Sequence, residues 1–306
     1  MKISNTMKNR ILFVFVLAYI FTATCQEKEP NLNSQQQKKI LNKKTKENMN
    51  IYKTPIYRVN FESYLPFELY LNDVLIDKNS SKGSIDIFET LNEYILAPSK
   101  QELKIKLYPF PGKPQISFND IKDITIQIYK SPSLKSETFT LVHQIKFPNF
   151  KEELPFYEYK TFFEADDIPY NNTGWKNAKD LTKEKNLLDE TILFYENVRT
   201  ILNNGDYEKY FSINKLADNE IYKSLYLNEN EINEDKKNEM NRIINSKGKM
   251  KELKGYVLKY YGNGKLIRLE MPDGSSPLCA DREDVESYYN FFLYKPLNSN
   301  NLMIIR

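Results

Sequence analysis

The sequence predicts a β-sandwich domain followed by an α+β domain, in which helices precede an antiparallel sheet. Three observations support this fold class. From residue 51 to about residue 170, apolar and polar residues alternate in short segments, which is the period of a β-strand. Beyond residue 170 the apolar residues recur with the longer period of an α-helix. After Gly248 the strand period returns, and helices that precede an antiparallel sheet indicate an α+β domain.

The composition fits two folded domains and argues against a nucleic-acid partner. With 306 residues, 41% of them hydrophobic and 13% aromatic, the chain has enough apolar side chains for sizeable cores. The formal net charge is +3, and Lys2, Lys8 and Arg10 carry three positive charges near the N-terminus. The rest of the chain is therefore neutral overall. A concentrated basic face, on which phosphate binding depends, is not expected.

The predicted sandwich, residues 51–170, begins with alternating strands. Residues 55–61 alternate and place Arg58 and Asn60 on one side. The segments on either side of Asn72-Asp73 also have strand character, and these two residue types tolerate a positive φ, which predicts a tight hairpin. Further strands are predicted at 102–108, 124–128 and 141–147.

The order of elements in this region resembles a known family of folds. A strand, the Leu71-Asn72-Asp73 hairpin, a turn at residues 91–96 and a strand at residues 101–107 follow one another as in galactose-binding-like jelly rolls. The resemblance implies a jelly-roll-like arrangement of the sandwich.

The predicted second domain, residues 171–306, begins with helices. Six apolar residues share one face of a predicted helix of about 25 residues: Leu181, Leu188, Ile192, Tyr195, Val198 and Leu202. Gly205 ends this helix and Asp206 caps the next one. Two further helices extend to Gly248, and strands around Asn263-Gly264, the strongest hairpin signal of the chain, complete the domain. This order is similar to that of nuclear-transport-factor-like folds, whose curved sheet often encloses a pocket.

The first 25 residues have the organisation of a secretory leader, with basic residues, then an apolar run at 11–24, then Cys25. The run rises about 21 Å as a helix, less than a bilayer core of about 30 Å, so a permanent membrane span is not expected. Thr22-Ala23-Thr24-Cys25 resembles the processing site of bacterial lipoproteins, although that family prefers an aliphatic residue in place of Thr22 and a smaller one in place of Thr24. The resemblance implies a lipid on Cys25 and a place in the cell envelope. The alternative is an ordinary secreted protein.

Residues 26–50 are polar and rich in glutamine, lysine and asparagine. Such a segment cannot bury enough apolar surface to offset the entropy of ordering it. The sequence therefore predicts a disordered tether between the leader and the first domain, with an average end-to-end distance of about 27 Å.

Few of the usual catalytic combinations are available. His143 is the only histidine and lies in a predicted strand, which favours a half-buried structural role over a catalytic relay or a metal site. Cys25 and Cys279 are the two cysteines, so neither a disulfide framework nor a cysteine-based zinc site is expected. The nine glycines form no phosphate-binding loop. The sequence therefore predicts no metal and no cofactor.

Carboxylates are the remaining catalytic groups. Two acidic clusters occur, with Glu164, Asp166 and Asp167 in one and Asp281, Glu283 and Asp284 in the other. Two carboxylates at a suitable separation can hydrolyse a glycosidic bond, one as acid and the other as base or nucleophile. Solvated acids in loops are the simpler interpretation.

Aromatic residues supply the candidate binding contacts. Trp175, the only tryptophan, lies at the junction of the two predicted domains, and Tyr261 and Tyr289 each belong to a pair of adjacent tyrosines. Adjacent residues of a strand point to opposite faces, so one ring of each pair is expected to be less buried. Exposed rings stack on sugars and anchor protein interfaces. Core packing, with Trp175 between the two domains, is the competing interpretation.

The sequence therefore predicts an exported, lipid-anchored protein of the cell envelope that binds a protein or a glycan and is not an enzyme. The alternatives are a carboxylate-dependent hydrolase of envelope glycans and a small-ligand carrier with a pocket in the C-terminal domain. A binding protein is expected to expose an aromatic or apolar patch. A hydrolase should bring two of the acidic side chains together in a groove, and a carrier should enclose an apolar cavity.

Overall fold

The computed structural model describes residues 52–80, 83–282 and 285–306. Within these residues antiparallel strands form four sheets, and three α-helices follow the eighth strand. The sheet-rich character that the sequence predicts is confirmed. The leader with Cys25 and the predicted tether at 26–50 lie outside the described residues.

The strands before the helices form two four-stranded sheets. Their bounds are β1 Ile56–Ser63, β2 Phe67–Leu71, β3 Val74–Asn79, β4 Ile85–Thr90, β5 Lys100–Leu107, β6 Thr125–Ser131, β7 Thr140–Lys146 and β8 Tyr157–Glu164. One sheet has the order β4-β1-β6-β7 and the other the order β3-β2-β5-β8, with antiparallel neighbours throughout. Both sheets bury side chains in one shared hydrophobic core, because residues of β1 and β6 cluster there with residues of β2 and β5.

Alternation and turn chemistry account for these strands. In β5, Leu103, Ile105 and Leu107 are buried, whereas Lys104 and Lys106 between them are only half-buried. Asn72 and Asp73 have φ values of 52° and 63° and connect β2 to β3. The hairpin predicted at this position is therefore confirmed.

Two strands of this region are not predicted by the sequence analysis. Both β4 and β8 are edge strands of their sheets. In β4 only Ile87 is fully buried, and β8 exposes Phe162 among several charged residues. Both strands contain charged residues and bury few side chains, and this weakens the alternation by which strands are recognised.

The helices are α1 Leu187–Asn204, α2 Tyr207–Ser224 and α3 Glu229–Asn245. The prediction that the first helix begins near Leu181 and runs for about 25 residues is wrong. Leu181 lies in a separate 3-10 turn, and α1 begins after Asn186, whose φ is 57°. A residue in the left-handed region cannot continue a right-handed helix. Leu188, which the prediction places on the inner face, is exposed.

The predicted boundary between the first two helices is confirmed. Gly205 ends α1 with a φ of 69°, a conformation that glycine adopts without steric cost. The Asp206 carboxylate then accepts a hydrogen bond from the Lys209 amide and caps α2. Asn228 and Glu231 cap α3 in the same manner, each side chain accepting from the backbone of the other.

The strands after the helices are β9 Val257–Tyr261, β10 Leu266–Glu270, β11 Cys279–Arg282, β12 Val285–Tyr288, β13 Leu293–Tyr294 and β14 Met303–Ile304. Four of them form a sheet in the order β14-β13-β10-β9, and β11 pairs with β12. Asn263 and Gly264, with φ values of 56° and 80°, connect β9 to β10 as the sequence predicts. The helices pack on this sheet, since Tyr195 of α1 lies in a second core with Ile267 of β10.

A third apolar cluster joins residues that precede position 170 to residues that follow it. Tyr70 of β2 lies in this cluster together with Trp175 and Tyr261. Tyr52–Arg306 accordingly form one compact unit. The division of this unit into two domains near residue 170 stays a prediction.

A buried ion pair lies beside the third cluster. Arg306 Nη1 donates to Glu220 Oε2 at 3.0 Å, and the guanidinium carbon of Arg306 is 5.4 Å from the Trp175 ring centroid. The other carboxylate oxygen of Glu220 accepts hydrogen bonds from the amides of Thr173 and Gly174, both at 3.0 Å. Glu220 therefore fixes the loop before Trp175 and the last strand region to α2.

We expect Glu220→Gln to lower the free energy of unfolding by about 3 kcal/mol, because the Arg306 guanidinium is then left buried without a counter-charge. Denaturant unfolding measures the change. A variant that combines Glu220→Gln with Arg306→Met is the control, and it should recover part of the loss since neither charge remains. If the stability lost in the double variant equals the sum of the losses in Glu220→Gln and in Arg306→Met, the two side chains act independently. The ion pair then does not account for the effect of Glu220→Gln.

Candidate functional site

The three aromatic residues that the sequence suggests for binding are buried. Trp175, Tyr261 and Tyr289 are 5%, 6% and 0% exposed. The exposed member of the first tyrosine pair is Tyr260, because the Tyr261 ring packs edge to face on Phe292 at a centroid distance of 5.2 Å. None of the three suggested rings is presented to a ligand in solvent. Their positions support the competing interpretation, which is core packing.

The first acidic cluster is not arranged as a free catalytic pair. The Asp167 carboxylate accepts hydrogen bonds from the Tyr57 hydroxyl at 2.6 Å and from Lys130 Nζ at 2.7 Å. Burial, and then the neighbouring Asp167, raise the pKa of the Tyr57 phenol, so Tyr57 stays protonated and donates. Glu164 and Asp166 are exposed to solvent. Asp167 therefore joins β1 to β6 through these two partners.

The described member of the second acidic cluster, Asp281, belongs to β11. The Asp281 carboxylate is 3.8 Å from Lys251 Nζ and is exposed. Glu283 and Asp284 lie outside the described residues. Cys279, on the same strand, is a buried free thiol.

His143 occupies the half-buried strand position that the sequence analysis favours. It belongs to β7, and its Nε2 lies 3.2 Å from Thr161 Oγ1 of β8, so it links the two sheets. In the part of the chain that the structure describes, no group of three or more His, Cys, Asp or Glu side chains is placed to hold a metal ion.

An exposed aromatic cluster lies on the outer side of the β4-β1-β6-β7 sheet. We call it the Arg58 face and define it by five side chains: Arg58, Phe88, Tyr129, Phe139 and Leu141. Arg58 of β1 lies opposite Tyr129 of β6, which lies opposite Leu141 of β7. The register of β6 with β7 shifts between Ile128 and Tyr129, so Leu141 does not share the side of His143. Residues directly opposite in antiparallel strands project to the same side of a sheet. Because the residues on either side of Arg58 in β1 are buried in the core, these three side chains project outward.

Phe139 lies at the centre of the Arg58 face. Its ring centroid is 5.2 Å from that of Phe88 and 6.3 Å from that of Tyr129, and both pairs are edge to face. Phe88, Phe139 and Leu141 are 46%, 40% and 47% exposed. Single exposed apolar residues are ordinary on a soluble protein, whereas a contiguous group of them marks a contact surface.

Arg58 is buried among these rings. Its guanidinium carbon lies 5.7 Å from the Phe88 centroid and 5.5 Å from the Phe139 centroid, within the range of a cation–π interaction. Nη1 donates to Ser131 Oγ and Nη2 donates to the Leu134 carbonyl oxygen, both at 2.5 Å. Arg58 is only 7% exposed, and this burial lowers the pKa of its guanidinium.

Polar side chains border the Arg58 face. Asn60 Nδ2 of β1 donates to Gln127 Oε1 of β6 at 3.3 Å.

No protein-family model matches the chain, and neither a curated protein nor a solved structure matches it. Among the residues that the structure describes, none of the helices combines the length and the apolar character needed to cross a membrane. Function is therefore inferred from the geometry of the Arg58 face and from the sequence.

The sequence analysis does not identify the Arg58 face as a site, although it places Arg58 and Asn60 together on one side of β1. Phe88 belongs to β4, whose alternation is weak, and Phe139 lies just before β7 at the end of a turn segment. The available signal is Arg58 itself, a charged residue between Tyr57 and Val59 in the mostly apolar first half of β1. Which rings surround it depends on strand order, which alternation along the chain does not encode.

Proposed function

We propose that this protein is an exported, lipid-anchored protein of the cell envelope with a non-catalytic binding role, and that the Arg58 face is its binding surface. The observation that carries the proposal is the exposure of Phe88, Phe139 and Leu141 around one arginine on a single sheet face. Aromatic residues and arginine are enriched in protein interfaces, and exposed rings also stack on sugars. The partner is a protein or a glycan.

The N-terminal sequence supports the envelope location. Its basic residues, its apolar run at 11–24 and Cys25 have the order of a lipoprotein leader. Acyl chains on Cys25 would each contribute about 0.8 kcal/mol per buried methylene to membrane binding. A tether at residues 26–50 averages about 27 Å as a coil. Such a tether would keep the folded part of the chain near the membrane surface.

We also propose the finer architecture, in which the first two sheets form a jelly-roll-like β-sandwich over residues 51–170 and residues 171–306 form an α+β domain. The core shared by the two sheets supports the sandwich. The packing of the helices against β10 and its neighbours supports the α+β domain. In this arrangement the Arg58 face is the outer side of one sandwich layer.

Metabolic labelling with a fatty-acid analogue in a bacterial host tests the anchor. We expect the parent chain and Cys279→Ala to be labelled and Cys25→Ala to lose the label. Cys279→Ala is the matched control, because it removes the other cysteine, which is buried. A Cys25→Ala variant labelled as strongly as the parent would show that Cys25 carries no lipid.

Site-specific photo-cross-linking in the envelope tests the binding surface. We expect a photoreactive phenylalanine analogue at Phe139 to give a discrete adduct and the same analogue at Phe162 to give none. Phe162 is a matched control, since it is also an exposed phenylalanine with a cation near its ring, Lys100 Nζ at 4.4 Å, but it belongs to the other sheet. Adducts of equal strength at both positions, or no adduct at Phe139, would contradict the assignment of the Arg58 face.

A further inference from the structure

The Arg58 guanidinium has no carboxylate partner among the described residues, since no carboxylate oxygen there lies within the 4.0 Å of an ion pair. The other arginines whose side chains the structure describes all have one. These pairs are Arg199 with Glu196 at 3.4 Å, Arg242 with Glu239 at 2.5 Å, Arg268 with Glu270 at 2.5 Å and Arg306 with Glu220 at 3.0 Å. Arg58 is thus an exception within its own chain.

The same pairing holds for a buried lysine. Lys295 has a side chain that is 2% exposed, and its Nζ lies 2.9 Å from Glu184 and 2.6 Å from Glu190. A buried cation without a counter-charge is unfavourable, because desolvation is not offset by ion pairing. In this chain the one described arginine that lacks a counter-charge lies in the middle of an exposed aromatic face.

Arg58 retains hydrogen-bond donors for a ligand. A guanidinium has five N–H donors, and the contacts with Ser131 and Leu134 use two of them. These two contacts also hold the plane of the guanidinium in one orientation. A carboxylate can accept two parallel N–H bonds from such a plane, which gives both charge neutralisation and directional fit.

A ligand would reach Arg58 by displacing one of the rings that cover it, since Arg58 is 7% exposed. Phe139 precedes Thr140, the first residue of β7, so displacement of its ring would not break the pairing of β7 with β6. A carboxylate seated on Arg58 would then lie between the Phe88 and Phe139 rings. Exclusion of water by these rings would strengthen its attraction to the guanidinium.

The surroundings favour an acidic peptide over an acidic sugar. The Phe88 and Phe139 rings are inclined by 88° to each other and therefore offer no flat two-ring platform for a sugar. Leu141 adds an exposed aliphatic side chain to this face. The apolar side chains of this face can therefore contact apolar residues of a peptide on either side of its acidic residue.

We propose that Arg58 is the recognition residue of the Arg58 face and that a glutamate or aspartate side chain of a protein partner, flanked by apolar residues, supplies its counter-charge. This inference rests on the proposed binding function and specifies the chemistry of the partner at the same surface.

Peptide binding to the full-length protein in detergent micelles tests the inference. The probes are a capped tripeptide with glutamate between two phenylalanines and the same tripeptide with glutamine. We expect the acidic probe to bind at least about tenfold more tightly than the neutral one and to shift the Arg58 Nε–H resonance. Arg58→Met should abolish the preference. Arg199→Met is the matched control and should keep it, because Arg199 already has Glu196 as its partner.

Equal affinities for the two probes, an unmoved Arg58 resonance or a preference that persists in Arg58→Met would overturn the inference. Stronger binding of glucuronate or of inorganic phosphate than of the acidic tripeptide would also overturn it. The resonance is measured in the parent chain, so the inference is testable even if Arg58→Met does not fold. A Phe139 adduct without an acidic preference would leave the proposed binding surface standing, whereas the loss of that adduct would remove the surface itself.

Discussion

The pairing of buried cations with carboxylates is the constraint on which the structure depends most. The free energy lost when a charge leaves water is offset in a protein only by a well-placed partner of opposite charge. Each buried cation therefore requires a segment with a carboxylate to pack beside it. Arg306 with Glu220 joins the end of the chain to α2, and Lys295 with its two glutamates joins the segment after β13 to α1 and to the turn before it. Arg58 is held without such a partner, and this exception connects the fold to the proposed function.

The position of Arg58 suits a recognition residue. β1 lies between β4 and β6, so its backbone is hydrogen-bonded on both sides and its outward side chains are rigidly placed. The guanidinium is oriented in advance by Ser131 and Leu134, which reduces the entropy lost when a ligand binds. An unpaired buried charge lowers the stability of the free protein, and a ligand that supplies the counter-charge removes this cost in the complex. Functional sites are often less stable than the rest of a protein in this way.

Local signals in the sequence predict local structure well, and they predict the site poorly. The Asn72-Asp73 and Asn263-Gly264 hairpins and the Asp206 cap depend on two to four neighbouring residues, and all are confirmed. The start of α1 is wrong because Asn186 adopts a left-handed conformation that the apolar period does not reveal. The Arg58 face combines residues from four strands, two of which are edges of their sheet, and strand order is a property of the whole fold. Tyr261 and Tyr289 are misjudged for a related reason, since alternation separates two faces without showing which one is covered.

A recognition arginine and a structural arginine differ most directly in how much stability the ligand-free protein loses when the side chain is removed. Denaturant unfolding of Arg58→Met and Arg268→Met measures it. We predict that Arg58→Met changes the free energy of unfolding by less than about 1 kcal/mol, because relief of an unpaired buried charge offsets the lost hydrogen bonds. Arg268→Met should cost about 3 kcal/mol, because it leaves the Glu270 carboxylate buried without a counter-charge. A loss of about 3 kcal/mol in Arg58→Met as well would show that Arg58 is structural and would contradict its role in recognition.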